Sequence, residues 1–165
     1  VKSGALSVPD RLARIRALLS GLSGPHGNGE LRAWANPGTA EGVPLEVFRL
    51  VRGLDAGGGL DEPFEPPESP DDLAGRLTEI DEAGALRRLV RIASVTLAYR
   101  TPGRYDEAKA GEVFRALARL LGYGARWWTN TDLCGWDPVT RHVMDAVVVG
   151  AGGGVVVTVL AFDED

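Results

Sequence analysis

At 165 residues, with 44% hydrophobic and 25% charged side chains, the chain can bury a core unaided and is too apolar for wholesale disorder. Its one cysteine, Cys134, excludes an internal disulfide framework and any cysteine-rich zinc module. No apolar run reaches the roughly 18–20 residues of a membrane span, and a net charge of −5 disfavours general binding to nucleic acid or anionic membrane.

The first predicted element is a helix over Pro9 to Leu22. Proline suits a first turn, Asp10 complements the positive end of the helix dipole, and Leu12, Ile15, Leu18, Leu19 and Leu22 share one face. Arginines interrupt every apolar stretch of this N-terminus, so no signal-peptide core is recognisable and a cytoplasmic location is expected. The following stretch, GPHGNGELRAWANPGTAEG, is broken by glycine and proline and is expected to be a loop. It leaves His26 solvated and has room for a short strand at Leu31–Trp34. Pro44 to Arg52 predicts a second helix, with Val47, Phe48 and Val51 inward.

A proline-rich acidic loop is expected at about 56–70. From Asp55 to Asp72 there are seven acids and no base. Ser69-Pro70-Asp71-Asp72 then opens a helix with a cap, a first-turn proline and two acids, continued through Leu73, Leu77 and Ile80. Segment 85–99 is too densely apolar for periodicity to decide, and helix is the expectation. Tyr105 to Leu121 is the clearest helix, ended by Gly122 and Gly124.

Beyond that point the period shifts from helical to β. A strand at 125–130 places Trp127 and Trp128 on opposite faces. Two β-branched runs, 141–149 and 155–162, suggest a hairpin with a bulged or longer turn through Gly150–Gly154. The whole reads as one α+β domain over 1–165, N-terminal helices followed by a small C-terminal antiparallel sheet. Asp163-Glu164-Asp165 is expected to be a solubilising tail.

Four groups of residues are candidates for function. The glycine-rich VVVGAGGG resembles a dinucleotide-binding turn, but that turn needs a helix after it and VVVTVLAFDED follows instead. No cofactor is therefore expected. Cys134, His142 and Asp145 lie in one polar segment and form the candidate set for a small hydrolase or transferase, a thiolate with an oriented base. No nucleophile signature surrounds Cys134, and the spacing does not suit a metal site. Trp127, Trp128, Trp136 and Arg141 are candidates for contact with a partner, because aromatic and arginine side chains dominate interfaces. Arg87, Arg88 and Arg91 are candidates for ligand binding within the arginine-rich segment 85–126. From Ala85 to Arg126 there are nine bases against three acids. Sixteen of the 18 bases are arginine, a bias that a GC-rich bacterial genome also produces.

The favoured expectation is a non-catalytic protein that binds another protein. In general outline, by no particular motif, this resembles bacterial immunity and antitoxin proteins, which neutralise a partner by covering it. A small enzyme using the Cys134/His142 loop and a ligand-binding regulator using the arginine-rich segment are the alternatives.

Overall fold

Four short polar residues, each one position ahead of an apolar periodic run, mark where helices begin. The Ser7 and Ser69 hydroxyls accept from the Asp10 and Asp72 amides at 3.2 and 3.1 Å, and the Asp81 and Asp106 carboxylates accept from the Gly84 and Lys109 amides at 2.7 Å. Each cap satisfies an amide that a helix start leaves without a partner. The helices they open are α1 (Val8–Leu19), α3 (Pro70–Arg76), α4 (Glu82–Ser94) and α5 (Glu107–Leu121). One further helix, α2, spans Val43–Leu54. The structure is a computed structural model that describes residues 6–54, 66–132, 135–140 and 144–163.

The strands are β1 (Gly24–His26), β2 (Gly29–Pro37), β3 (Thr78–Ile80), β4 (Arg126–Thr129), β7 (Met144–Gly152) and β8 (Val155–Asp163). They form one antiparallel sheet in the order β1-β2-β8-β7-β4-β3, and β5 (Thr131–Asp132) pairs separately with β6 (Gly135–Trp136). Helices α1, α4 and α5 cover one face of the sheet, over Val148, Val155, Val157, Val159 and Ala161. Helices α2 and α3 cover the other face, over Val147, Val149, Val156, Leu160 and Phe162. This is why β7 and β8 are continuous valine-rich runs instead of alternating ones. Both faces are buried, and each fully buried valine contributes about 1.5–3 kcal/mol. Among the described residues no helix is long and apolar enough to cross a membrane.

The α+β class and the late antiparallel hairpin are as the sequence implies, but the sheet is twice as wide as expected. The presumed loop after the first helix contributes β1 and β2, and β2 pairs with β8 over eight residues, from Glu30↔Phe162 to Pro37↔Val155. Its alternation was hidden because Trp34 and Asn36, on the side away from Leu31 and Ala35, meet a second layer of helices and not water alone. The helix begun at Ser69 ends at Arg76 and does not continue through Leu77 and Ile80. Thr78–Ile80 instead pairs with β4, placing Glu79 opposite Trp128 and 2.6 Å from Arg126. The hairpin turn is also shorter than expected. Only Gly153 and Gly154 form it, at φ of 59° and 81°, a pair of left-handed conformations that glycine adopts without steric cost. Gly150 lies within the strand, where a Cβ would stand 2.6 Å from the Trp127 ring.

Segment 85–99 divides at Ser94. Val95 forms an isolated bridge with Pro102, and the backbone folds back through Thr96 N to Thr101 O (2.9 Å) and Gly103 N to Ser94 O (2.8 Å). His26, expected in solvent, is 2% exposed, and Asp163, expected in a tail, is 1% exposed. Both anchor this fold-back loop from beneath. His26 Nε2 lies 3.3 Å from the Val95 carbonyl, and Asp163 Oδ2 accepts from the Ala98 amide at 3.0 Å. Most of the expected 56–70 loop, and Glu164 and Asp165, lie outside the described residues.

Candidate functional site

Where α4 ends above the open side of β4 and β7, the structure leaves a cavity of about 250 Å³. Arg88 and Arg91 come from the last turns of α4, three positions apart and therefore on neighbouring sides of one helix surface. Arg100 comes from the fold-back loop. Ile92, Val95, Leu97, Ala146 and Val148 supply the apolar lining, and Thr96, Thr129 and Thr131 complete it. Among the described residues no acidic side chain lines the cavity, and none of the three arginines forms an ion pair.

Arg100 holds its place at some cost. It is the only non-glycine among the described residues in the left-handed region, with φ of 53°. For a residue with a Cβ that conformation is strained by about 1 kcal/mol, and it persists only where its surroundings over-determine it. Here the surroundings are the Val95–Pro102 bridge, the Thr96–Thr101 hydroxyl contact at 2.9 Å, and the His26 and Asp163 anchors below. Gly103 lies so close to the His26 ring that a Cβ would stand 2.4 Å from Cε1. Burial pushes the His26 pKa below its ordinary value. Hydrogen bonding to the Val95 carbonyl and the nearby Asp163 carboxylate oppose that shift, and Arg104 adds to it.

The larger surface depressions differ in kind. One between α4 and α5 contains Arg87 and Arg115 but also Glu107; another sets Arg115 and Arg119 beside Glu82. A third, around Trp128, sets Arg126 beside Glu41 and Glu79. In that last one both carboxyls lie below the ordinary carboxylate range, Glu79 chiefly through its hydrogen bond from Arg126, and Glu41 chiefly through its own backbone amide and Thr39, with Arg126 a minor contribution. Cations in these depressions have anions for company. Those of the α4–sheet cavity have none among the described residues.

In the polar segment singled out for chemistry, the described part is a hydrogen-bonded knot around Asp145. Asp145 is 3% exposed and lies on the face of β7 opposite the cavity. Its carboxylate accepts from Asn130 Nδ2 (2.7 Å), the Val139 amide (3.1 Å), and the amide and hydroxyl of Thr140 (both 2.7 Å). Asn130 in turn donates to the Asp137 carbonyl and accepts from the Val147 amide, both at 2.8 Å. The result is a knot that holds residues 137–140 over the sheet and drives Val139 into the α2–α3 core. Cys134, Arg141 and His142 lie outside the described residues, as does the side chain of Trp136. Among the described residues no group of His, Cys, Asp or Glu is placed to hold a metal ion.

The paired tryptophans lie on opposite faces, as strand alternation requires. Trp127 is 1% exposed, packed over Gly150 beneath α4 and α5, and as a partner contact it is corrected to a core residue. Trp128 is half-buried against the α2–α3 side, with the Arg126 guanidinium 5.1 Å above its ring. Of the ligand candidates, Arg88 and Arg91 share the cavity and Arg87 belongs to the α4–α5 groove. Sequence reasoning missed Arg100, Thr129 and Thr131. The TPG after Arg100 was a turn signal, but nothing local indicates which surface the turn faces. No family model, no curated protein and no solved structure matches this chain.

Proposed function

We propose that the chain is a non-catalytic binding protein whose recognition site is the cavity between α4 and the sheet, and that it takes a small anionic ligand. The observation that carries this reading is the presence of Arg88, Arg91 and Arg100 around one concave, largely apolar space with no acid among its lining residues. Three cations gathered with no anion among the described residues repel one another, and a strained Arg100 adds to the cost. An anion bound there relieves that repulsion and gains charge-assisted hydrogen bonds from the guanidinium groups. The test is thermal unfolding of the whole chain against a panel of small carboxylates and phosphates. A ligand at a hundred times its Kd raises Tm by roughly 5–10 °C, and the Arg88→Ala/Arg91→Ala variant loses that rise. No shift with any anion, or an equal shift in the variant, rules the reading out.

A protein partner is the second reading. It is favoured by Tyr123, which is fully exposed beyond the end of α5, and by the groove at Trp128 and Arg126. Tyrosine, tryptophan and arginine are the residue types that most often anchor interfaces. Co-purification from native lysate of one stoichiometric protein, lost in Trp128→Ala or Tyr123→Ala and retained in Arg88→Ala/Arg91→Ala, selects this reading.

A further inference from the structure

We infer that the ligand of the α4–sheet cavity is an amphiphile, with one anionic head group among Arg88, Arg91 and Arg100 and an apolar body against the sheet. This rests on the cavity being a ligand site, and adds what the ligand is. The lining separates into two chemistries. Its cations come from α4 and the fold-back loop, whereas Ala146 and Val148 of β7, with Ile92, Val95 and Leu97, bring no polar side-chain atom.

The threonines do not change that division, because their hydroxyls are already engaged. Thr129 Oγ1 donates to the Val147 carbonyl at 2.8 Å, accepts from the Thr131 amide at 3.2 Å and meets Thr131 Oγ1 at 3.1 Å. Thr96 Oγ1 meets Thr101 Oγ1 at 2.9 Å and accepts from the Thr101 amide at 3.0 Å. A sugar or nucleobase lying on this floor would surrender its hydrogen bonds to water and find few in return, a penalty that an apolar body avoids. The head group finds the opposite. Arg88 donates through Nη1 to the Gly84 carbonyl at 3.2 Å, which leaves the other nitrogens of its fork, and Arg91 and Arg100 have no anion among the described residues. Guanidinium forks match carboxylate and phosphate oxygens in pairs. The volume, about 250 Å³, is just under the roughly 300–1,000 Å³ of most small-molecule sites, so one compact molecule fills it.

Isothermal titration of the whole chain with octanoate, octanol, acetate, citrate and ATP tests this. Octanoate is expected to bind saturably, and acetate on the order of a hundredfold or more weaker, since it lacks the methylenes that the floor covers. Octanol, without the charge, is expected to bind about tenfold or more weaker. Two variants locate the site: Arg91→Ala, an exposed position, tests the head, and Leu97→Ser, on the half-buried loop, tests the body. Each is expected to weaken octanoate about tenfold, with circular dichroism confirming that both fold. If citrate or ATP binds more tightly than octanoate and depends on Arg91, the amphiphile inference fails and the anion site stands. If octanoate binds but neither variant weakens it, the inference fails because the ligand sits elsewhere. If none of the five binds, both the inference and the anion-site reading fail.

Discussion

Two polar clusters lie on opposite faces of β7, one residue apart in sequence, and they are built to opposite plans. On one face the Asp145 carboxylate receives, among the described residues, four donors from Asn130, Val139 and Thr140, and Asn130 uses both ends of its amide. On the other, Ala146 and Val148 floor a cavity around which three arginines gather without an acid among the described residues. A satisfied cluster ties segments together and leaves nothing over for a ligand. A cluster of like charges without counter-ions costs some stability through self-repulsion and is retained where something else binds. Polar residues in the sequence advertise both kinds equally; only the partner census tells them apart.

The contrast breaks most visibly at Asp145. In Asp145→Ala the amides of Val139 and Thr140, the Thr140 hydroxyl and Asn130 Nδ2 lose an acceptor inside the protein. A loss of about 3 kcal/mol or more is expected in urea denaturation, since each buried donor left unpaired costs about 1–3 kcal/mol. Retention of full stability would mean that the knot is not structural. The tryptophan pair sharpens the same division between the faces. Trp127→Ala, in the core beside Gly150, is expected to cost about 3–5 kcal/mol. Trp128→Ala, half-buried, is expected to cost roughly half that. Equal costs would contradict the burial assigned to them.

A smaller, pH-dependent effect is expected at His26, which anchors the loop carrying Arg100. Its folded pKa lies below the ordinary 6.5 because burial penalises the charged ring. Between those two values the unfolded chain binds more protons than the folded one, so this contribution to stability is lost as pH falls through 6.5 and levels off below the folded pKa. A Tm–pH profile of the wild type is expected to slope downward on acidification through that window. The His26→Asn variant should lack this part of the slope, and parallel profiles would show that His26 does not titrate on unfolding.

The helices and the central hairpin were legible because caps and periodicity are local. Ser69-Pro70 marks the start of α3 directly, apolar spacing up to Gly122 marks α5, and the β-branched valine runs mark β7 and β8. The edges of the sheet were not legible, for a reason specific to each strand. Strand β2 alternates between two protein layers, so Trp34 and Asn36 look like loop residues; β3 is three residues long and draws its stability from pairing with β4. The site was half legible. Arg88 and Arg91 share a helix surface that spacing reveals, but Arg100 joins them through a loop whose anchors, His26 and Asp163, are separated from it by more than sixty residues in each direction. Long-range packing of that kind leaves no trace in local pattern. It also explains why His26 looked solvated and Asp163 looked like a tail.

The smallest expected change in stability is the most informative. Urea denaturation of the wild type and of the Arg88→Gln/Arg91→Gln/Arg100→Gln variant, with no ligand present, asks whether these cations hold the fold or wait for an anion. The expected result is a stability within about 0.5 kcal/mol of the wild type, or above it. A loss of about 2 kcal/mol or more would show that the arginines serve the structure, as Asp145 does on the opposite face, and would contradict their assignment to a ligand.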